Sequence, residues 1–148
     1  MYRRLQTIIG KNANAMLSAH GNLIFGMFVE QDHSNGKTKM PVAGSKSVFL
    51  VGKERVLDGV NSVRTNISDY DPLFENIAEG EMVVLESLQR GEVYAINQIT
   101  MAGVVANDKL KVDVSGKLVK DATGTDAIAV YIGAYDDTGN SLHAIRIL

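Results

Sequence analysis

The residues best equipped for chemistry in this chain are its histidines, two aspartate pairs and a few serines in turn-forming strings. His20, His33 and His143 lie far apart and share no ligand spacing such as His-x-x-x-His, which sets two imidazoles on one helix face. His143 falls in an apolar strand pattern and reads as a sheet residue with its hydrogen bonds satisfied. Asp69 and Asp71 give half of a calcium loop, but such a loop needs further oxygens at fixed positions and a closing Glu. Pro72 and Leu73 stand where those ligands would continue, so Asp71 reads as a helix N-cap and Pro72 as the first helical residue. Asp136 and Asp137 open a turn. Ser34, Ser115 and Ser141 also lie in turn strings, and no Gly-x-Ser-x-Gly elbow presents a nucleophile. Asn35-Gly36-Lys37-Thr38 echoes the end of a phosphate-binding loop without the preceding glycine at the required spacing. No residue is therefore assigned a catalytic, cofactor-binding or metal-ligating role, no cofactor is expected, and the chain is not read as an enzyme.

Composition narrows the classes further. There is no cysteine, which removes thiolate nucleophiles, disulfide frameworks and Cys-ligated metals. Fifteen basic residues face seventeen acidic ones, so the total gives no bias toward phosphate binding; Arg3-Arg4 is the one basic cluster. Trp is absent and aromatics are 6%, which weakens a reading based on stacking single-stranded bases or sugars. No apolar run approaches the ~20 residues that span a bilayer, and the basic N-terminus has no long apolar core behind it. A soluble protein made in a cytoplasm is expected. The motifs of trimeric dUTPase-type pyrophosphatases, which are β-rich and of this size, are missing.

The elements that would hold these residues are short strands. Leu5, Ile8, Ile9, Ala13, Met16 and Leu17 recur at helical spacing, while Gly10, Asn12 and Asn14 oppose a helix. Residues 1–21 are read as an irregular arm, ahead of a single β-rich domain over 22–148. Residues 22–31, with Leu23, Ile24, Phe25, Met27, Phe28 and Val29, are too apolar to be exposed, and Asn35-Gly36 predicts a hairpin turn because both residues tolerate positive φ. Residues 47–51 read as a short buried strand; 55–66 mixes helical and strand signals and is read as irregular or strand. A short helix from Asp71 should end by Gly80, with Leu73, Phe74 and Ile77 plugging one end of the β-module. Residues 81–148 form that antiparallel module. Within it 81–88 is a central strand, and 109–114 alternates with Leu110, Val112 and Val114 inward. Ser115-Gly116 turns the chain back, 128–135 is the longest strand, and 141–148 closes a final hairpin. The fold class expected is mainly β, an antiparallel small β-barrel or β-sandwich with at most one or two short helices.

Within 79–148 the order of strands and turns carries a family likeness. Glu-Gly-Glu-Met-Val-Val-Leu (79–85) is followed by Gly-Glu-Val-Tyr (91–94) and Asn-Asp-Lys-Leu-Lys-Val-Asp-Val-Ser-Gly-Lys-Leu-Val-Lys (107–120). Ala-Ile-Ala-Val-Tyr-Ile-Gly (127–133) and a terminal Ala-Ile-Arg-Ile-Leu (144–148) complete it. This pattern resembles the head decoration, or capsid cement, proteins of tailed bacteriophages. The resemblance implies a structural virion protein on the capsid exterior, made in the host bacterial cytoplasm. It would bind and stabilise the major capsid protein lattice, as a homo-oligomer such as a trimer, without direct DNA or membrane contact. The alternatives are a non-catalytic β-barrel module for single-stranded nucleic acid or carbohydrate, or another virion β-module of a tail or head fibre. The arm and the apolar 22–29 segment are the contact regions this reading favours.

Overall fold

The structure, a computed structural model, describes residues 2–6, 17–52, 75–137 and 139–148. Among these the chain forms β1 (Tyr2–Gln6), β2 (Leu23–Ile24), β3 (Phe28–Asp32), β4 (Lys37–Lys39), β5 (Phe49–Gly52) and β6 (Asn76–Ile77). β7 (Val84–Ser87), β8 (Val93–Ile96), β9 (Lys109–Val112), β10 (Leu118–Lys120), β11 (Ala129–Asp137) and β12 (Asn140–Ile147) follow. A six-stranded antiparallel sheet runs β1-β8-β12-β11-β9-β10, a four-stranded sheet runs β4-β3-β5-β7, and β2 pairs with β6. The sheets do not close into a barrel; the arrangement is sandwich-like.

Side-chain alternation explains the layering. Phe28 and Leu50 are paired neighbours on one face of the four-stranded sheet. They pack against Tyr94, Ile96, Leu110, Val112, Leu118 and Ile145 of the larger sheet. Val29, Val51 and Leu85 point the other way, into a second cluster with Leu17, Ala19, Leu23 and Ile77. The four-stranded sheet is thus buried on both faces, which is why 22–29 and 47–51 read as continuous apolar runs rather than alternating ones. Each such fully buried side chain contributes about 1.5–3 kcal/mol relative to exposure.

Several expectations need correction. Residues 2–6 form an edge strand paired with β8 instead of an irregular arm, and Leu17 and Ala19 are core residues. The apolar 22–29 segment is internal: Leu23, Met27, Phe28 and Val29 are all buried, so it offers little surface to a partner. Residues 81–88 do not join the C-terminal strands; β7 lies at the end of the four-stranded sheet, beside β5. Residues 81–148 are therefore not a self-contained module, because their core is completed by 17–52. Val114 is exposed, past the end of β9, although Leu110 and Val112 are buried as the alternation predicts. The hairpin at Asn35-Gly36, the turn at Ser115-Gly116 and the β11–β12 hairpin are where the sequence puts them. The expected helix start at Asp71 and the segment 55–66 lie outside the described residues. Ile77, expected with Leu73 and Phe74 to plug one end of the β-module, is in β6 and buried.

A bulge shapes the terminal hairpin. Tyr131 pairs with Ile145 and Gly133 with Ala144, so Ile132 is an extra residue in β11. An inserted residue bends its strand and sharpens the local twist. Ile132 stands exposed there.

Candidate functional site

Among the described residues, aspartates in the turns hold much of the polar side-chain chemistry. In the β3–β4 hairpin the Asp32 carboxylate accepts from the Ser34 hydroxyl at 2.5 Å, the Ser34 N–H at 3.1 Å and the Asn35 amide at 2.6 Å. Those bonds, Ser34 first and then Asn35, hold its pKa down at about 2. Asp113 does the same for the β9–β10 turn: its Oδ1 accepts from Ser115 N–H at 2.9 Å, Ser115 Oγ at 2.7 Å and Lys117 N–H at 3.0 Å. Burial raises the Asp113 pKa, but the Ser115 and Lys117 donors outweigh it and the net shift is downward. Asp121 is buried and organises the 121–126 loop through Thr123 and the Asp126 N–H, with Lys111 Nζ 3.7 Å away. Burial pushes its pKa up, and the Thr123 and backbone donors more than reverse that. Asp136 accepts from the Gly139 N–H at 2.9 Å, which makes it a turn residue as expected.

The histidines are not brought together. His20 Nδ1 is 3.0 Å from the Thr38 hydroxyl, His33 is exposed in the β3–β4 turn, and His143 Nδ1 is 3.3 Å from the Tyr131 hydroxyl. Burial lowers the pKa of both His20 and His143. Among the described residues no group of His, Asp and Glu has the arrangement of a metal site. Asp69 and Asp71 lie outside the described residues. Ser34 and Ser115 are committed to their aspartates, and Ser141 is exposed on β12. The Arg3-Arg4 backbone is paired with Tyr94 and Ala95 of β8.

Two features were not foreseen from the sequence. The first is a buried carboxylate, Glu86, which faces Leu50's side of the sheet and accepts a 2.5 Å hydrogen bond from the Tyr2 hydroxyl. Tyr2 also stacks on Phe25 (4.5 Å between centroids) and meets Tyr94 edge-on at 6.0 Å. The bond ties the edge strand of one sheet to the edge strand of the other. It lies inside the sandwich, where a polar pair fixes register instead of meeting a ligand.

The second is the junction at Gly116. The Phe28 N–H donates to the Gly116 carbonyl at 2.8 Å, and the Gly44 N–H donates to Val112 O at 2.8 Å. Gly116 has φ +73°, and a methyl added there would sit 2.6 Å from the Phe28 carbonyl oxygen. The β9–β10 turn therefore touches β3 backbone to backbone, which a residue larger than glycine would prevent. Val114, two residues before Gly116, is 65% exposed, and Val42, two residues before Gly44, is 70% exposed.

Compared with family models, with curated proteins and with solved structures, the chain matches none.

Proposed function

We propose that the chain is a structural virion protein of the head-decoration type. It attaches to the exterior of an expanded tailed-phage capsid, bridges neighbouring major capsid protein subunits and acts as a homo-oligomer, a trimer being the form the resemblance implies. The observation that carries this reading is the hairpin at 107–120, the stretch most like the decoration proteins. It is hydrogen-bonded to the second sheet at Gly116, and it carries the exposed apolar side chain of Val114, while Val42 is exposed in the loop that bonds Val112 through Gly44. A lattice-binding module needs such exposed apolar side chains more than it needs an active site. Many weak copies acting on one shell gain strength from multivalency. Two further observations support the reading. Asp32, Asp113, Asp121 and Asp136 are occupied in holding turns and loops, and none of the described aromatic rings stands exposed to stack on bases or sugars.

The direct test is cosedimentation of the purified protein with expanded and with immature capsids of the same genome. Saturable binding to the expanded shell alone supports the proposal. Binding to neither shell removes it, and salt-dependent binding to a single-stranded oligonucleotide would favour the alternative binding module.

A further inference from the structure

At one end of the sandwich the two sheets part, and a cleft of about 160 Å³ opens between them. Its lining is mixed, about half polar and half apolar, and the apolar part is Val48 and Leu88, each one residue beyond the paired Phe49 and Ser87, together with Ile128 and Ile147 of the larger sheet. Val48, Ile128 and Ile147 belong to the main core, so this is where the core reaches the surface. The Leu148 N–H donates to Ile128 O at 3.0 Å and the Gly91 N–H to Ile147 O at 2.9 Å, which fixes the walls. Lys46 and Arg90 also line the cleft, and both are exposed. Among the described residues neither has a carboxylate within ion-pairing distance, in contrast to Lys37, Lys39, Lys111 and Lys120. No acidic side chain lines the cleft.

Size and charge together restrict the occupant. A space of this volume is close to the ~150 Å³ that holds one benzene-sized group, and well below the roughly 300–1,000 Å³ of a drug-sized ligand pocket. It suits a single apolar side chain. The two unpaired cations beside it suit a carboxylate, which the Arg fork can grip with two parallel hydrogen bonds. We infer that the cleft binds an extended acidic peptide segment of a partner protein. One leucine- or phenylalanine-sized side chain sits between the sheets, and a neighbouring Asp or Glu pairs with Arg90 and Lys46. This goes beyond the virion reading and does not rest on it, because the peptide chemistry is the same whatever particle carries it.

The test is an NMR titration of the full chain with the capped peptide acetyl-Gly-Leu-Asp-Gly-amide. Saturable methyl shifts at Val48, Leu88, Ile128 and Ile147 are expected. Replacing Asp by Asn in the peptide, or making K46E/R90E in a protein whose amide spectrum stays native, should weaken binding by about tenfold or more. Replacing Leu by Ser in the peptide should do the same. The inference is overturned by the absence of these shifts at millimolar peptide or by equal binding of the Asn peptide. It is also overturned if 4-methylpentanoate binds as tightly as the peptide, which would mark a small-carboxylate site. Capsid cosedimentation is a separate readout, so failure of either proposal is distinguishable from failure of the other.

Discussion

Replacing Gly116 by Ala probes the contact that joins the two sheets. The substitution has two separable costs. Any L-residue at φ +73° takes on left-handed strain of about 1–2 kcal/mol. The added methyl also cannot remain 2.6 Å from the Phe28 carbonyl oxygen, so the turn must lift from β3. Lifting it stretches or breaks the 2.8 Å bond from Phe28 N–H to Gly116 O, and a buried backbone donor left unpaired costs about 1–3 kcal/mol. The sum is about 2–5 kcal/mol. Gly36 supplies the control: it too has positive φ (+63°), yet an added methyl there meets nothing within 4 Å. Gly36→Ala should therefore show only the left-handed cost of about 1–2 kcal/mol. Urea denaturation of the two variants and the parent gives both values. If Gly116→Ala lies within about 0.5 kcal/mol of Gly36→Ala, the contact between the β9–β10 turn and β3 does not stabilise the sandwich as argued.

Tyr2→Phe removes the hydroxyl that bonds Glu86 and should destabilise the fold by about 1–3 kcal/mol, with β1 amides losing hydrogen-exchange protection before those of β11 and β12. The Asp32 carboxyl, held at about 2 against an ordinary 3.8, contributes stability above pH 4 that is lost as the pH falls toward 2. Asp32→Asn should flatten that part of the stability-against-pH curve, and an unchanged curve would contradict the turn assignment. His20 and His143 are held below 6.5, so the folded state disfavours their protonated forms. Stability should decline as the pH drops from 6.5 through their lowered values, and His143→Gln should remove its share of that decline. Val42→Asp with Val114→Asp should leave the urea midpoint nearly unchanged, because both side chains are exposed, while weakening attachment to expanded capsids about tenfold or more.

The turns were the most legible part of this sequence. Asn35-Gly36, Ser115-Gly116 and Asp136 to Asn140 carry local chemistry that fixes a reversal without help from the rest of the chain, and all three are reversals in the structure. The strict alternation read over 109–114 likewise needs only its own residues, and it holds as far as Val112, where β9 ends. The misread elements depend on distant partners. Tyr2–Gln6 is a strand because Val93–Ile96 offers it an edge, and nothing within residues 1–17 announces that pairing. Residues 22–29 looked available to a partner because a sheet buried on both faces has no polar side, and the layers that cover it come from Tyr94 to Ile147 and from Leu17 to Ile77. Nothing within residues 81–88 marks Glu86 as a buried, bonded carboxylate, since its partner hydroxyl lies 84 residues earlier. The bulge at Ile132 leaves no composition signal, because isoleucine suits a regular strand as well. The cleft beside Lys46 and Arg90 draws on four separated segments, and no spacing within any one of them predicts it.

The most direct measurement of the central claim is the number of copies bound per major capsid protein, read by quantitative cosedimentation with expanded and immature shells. The account predicts saturation at a fixed stoichiometry on the expanded shell and no binding to the immature one. Equal binding to both shells, or binding to neither, would contradict it.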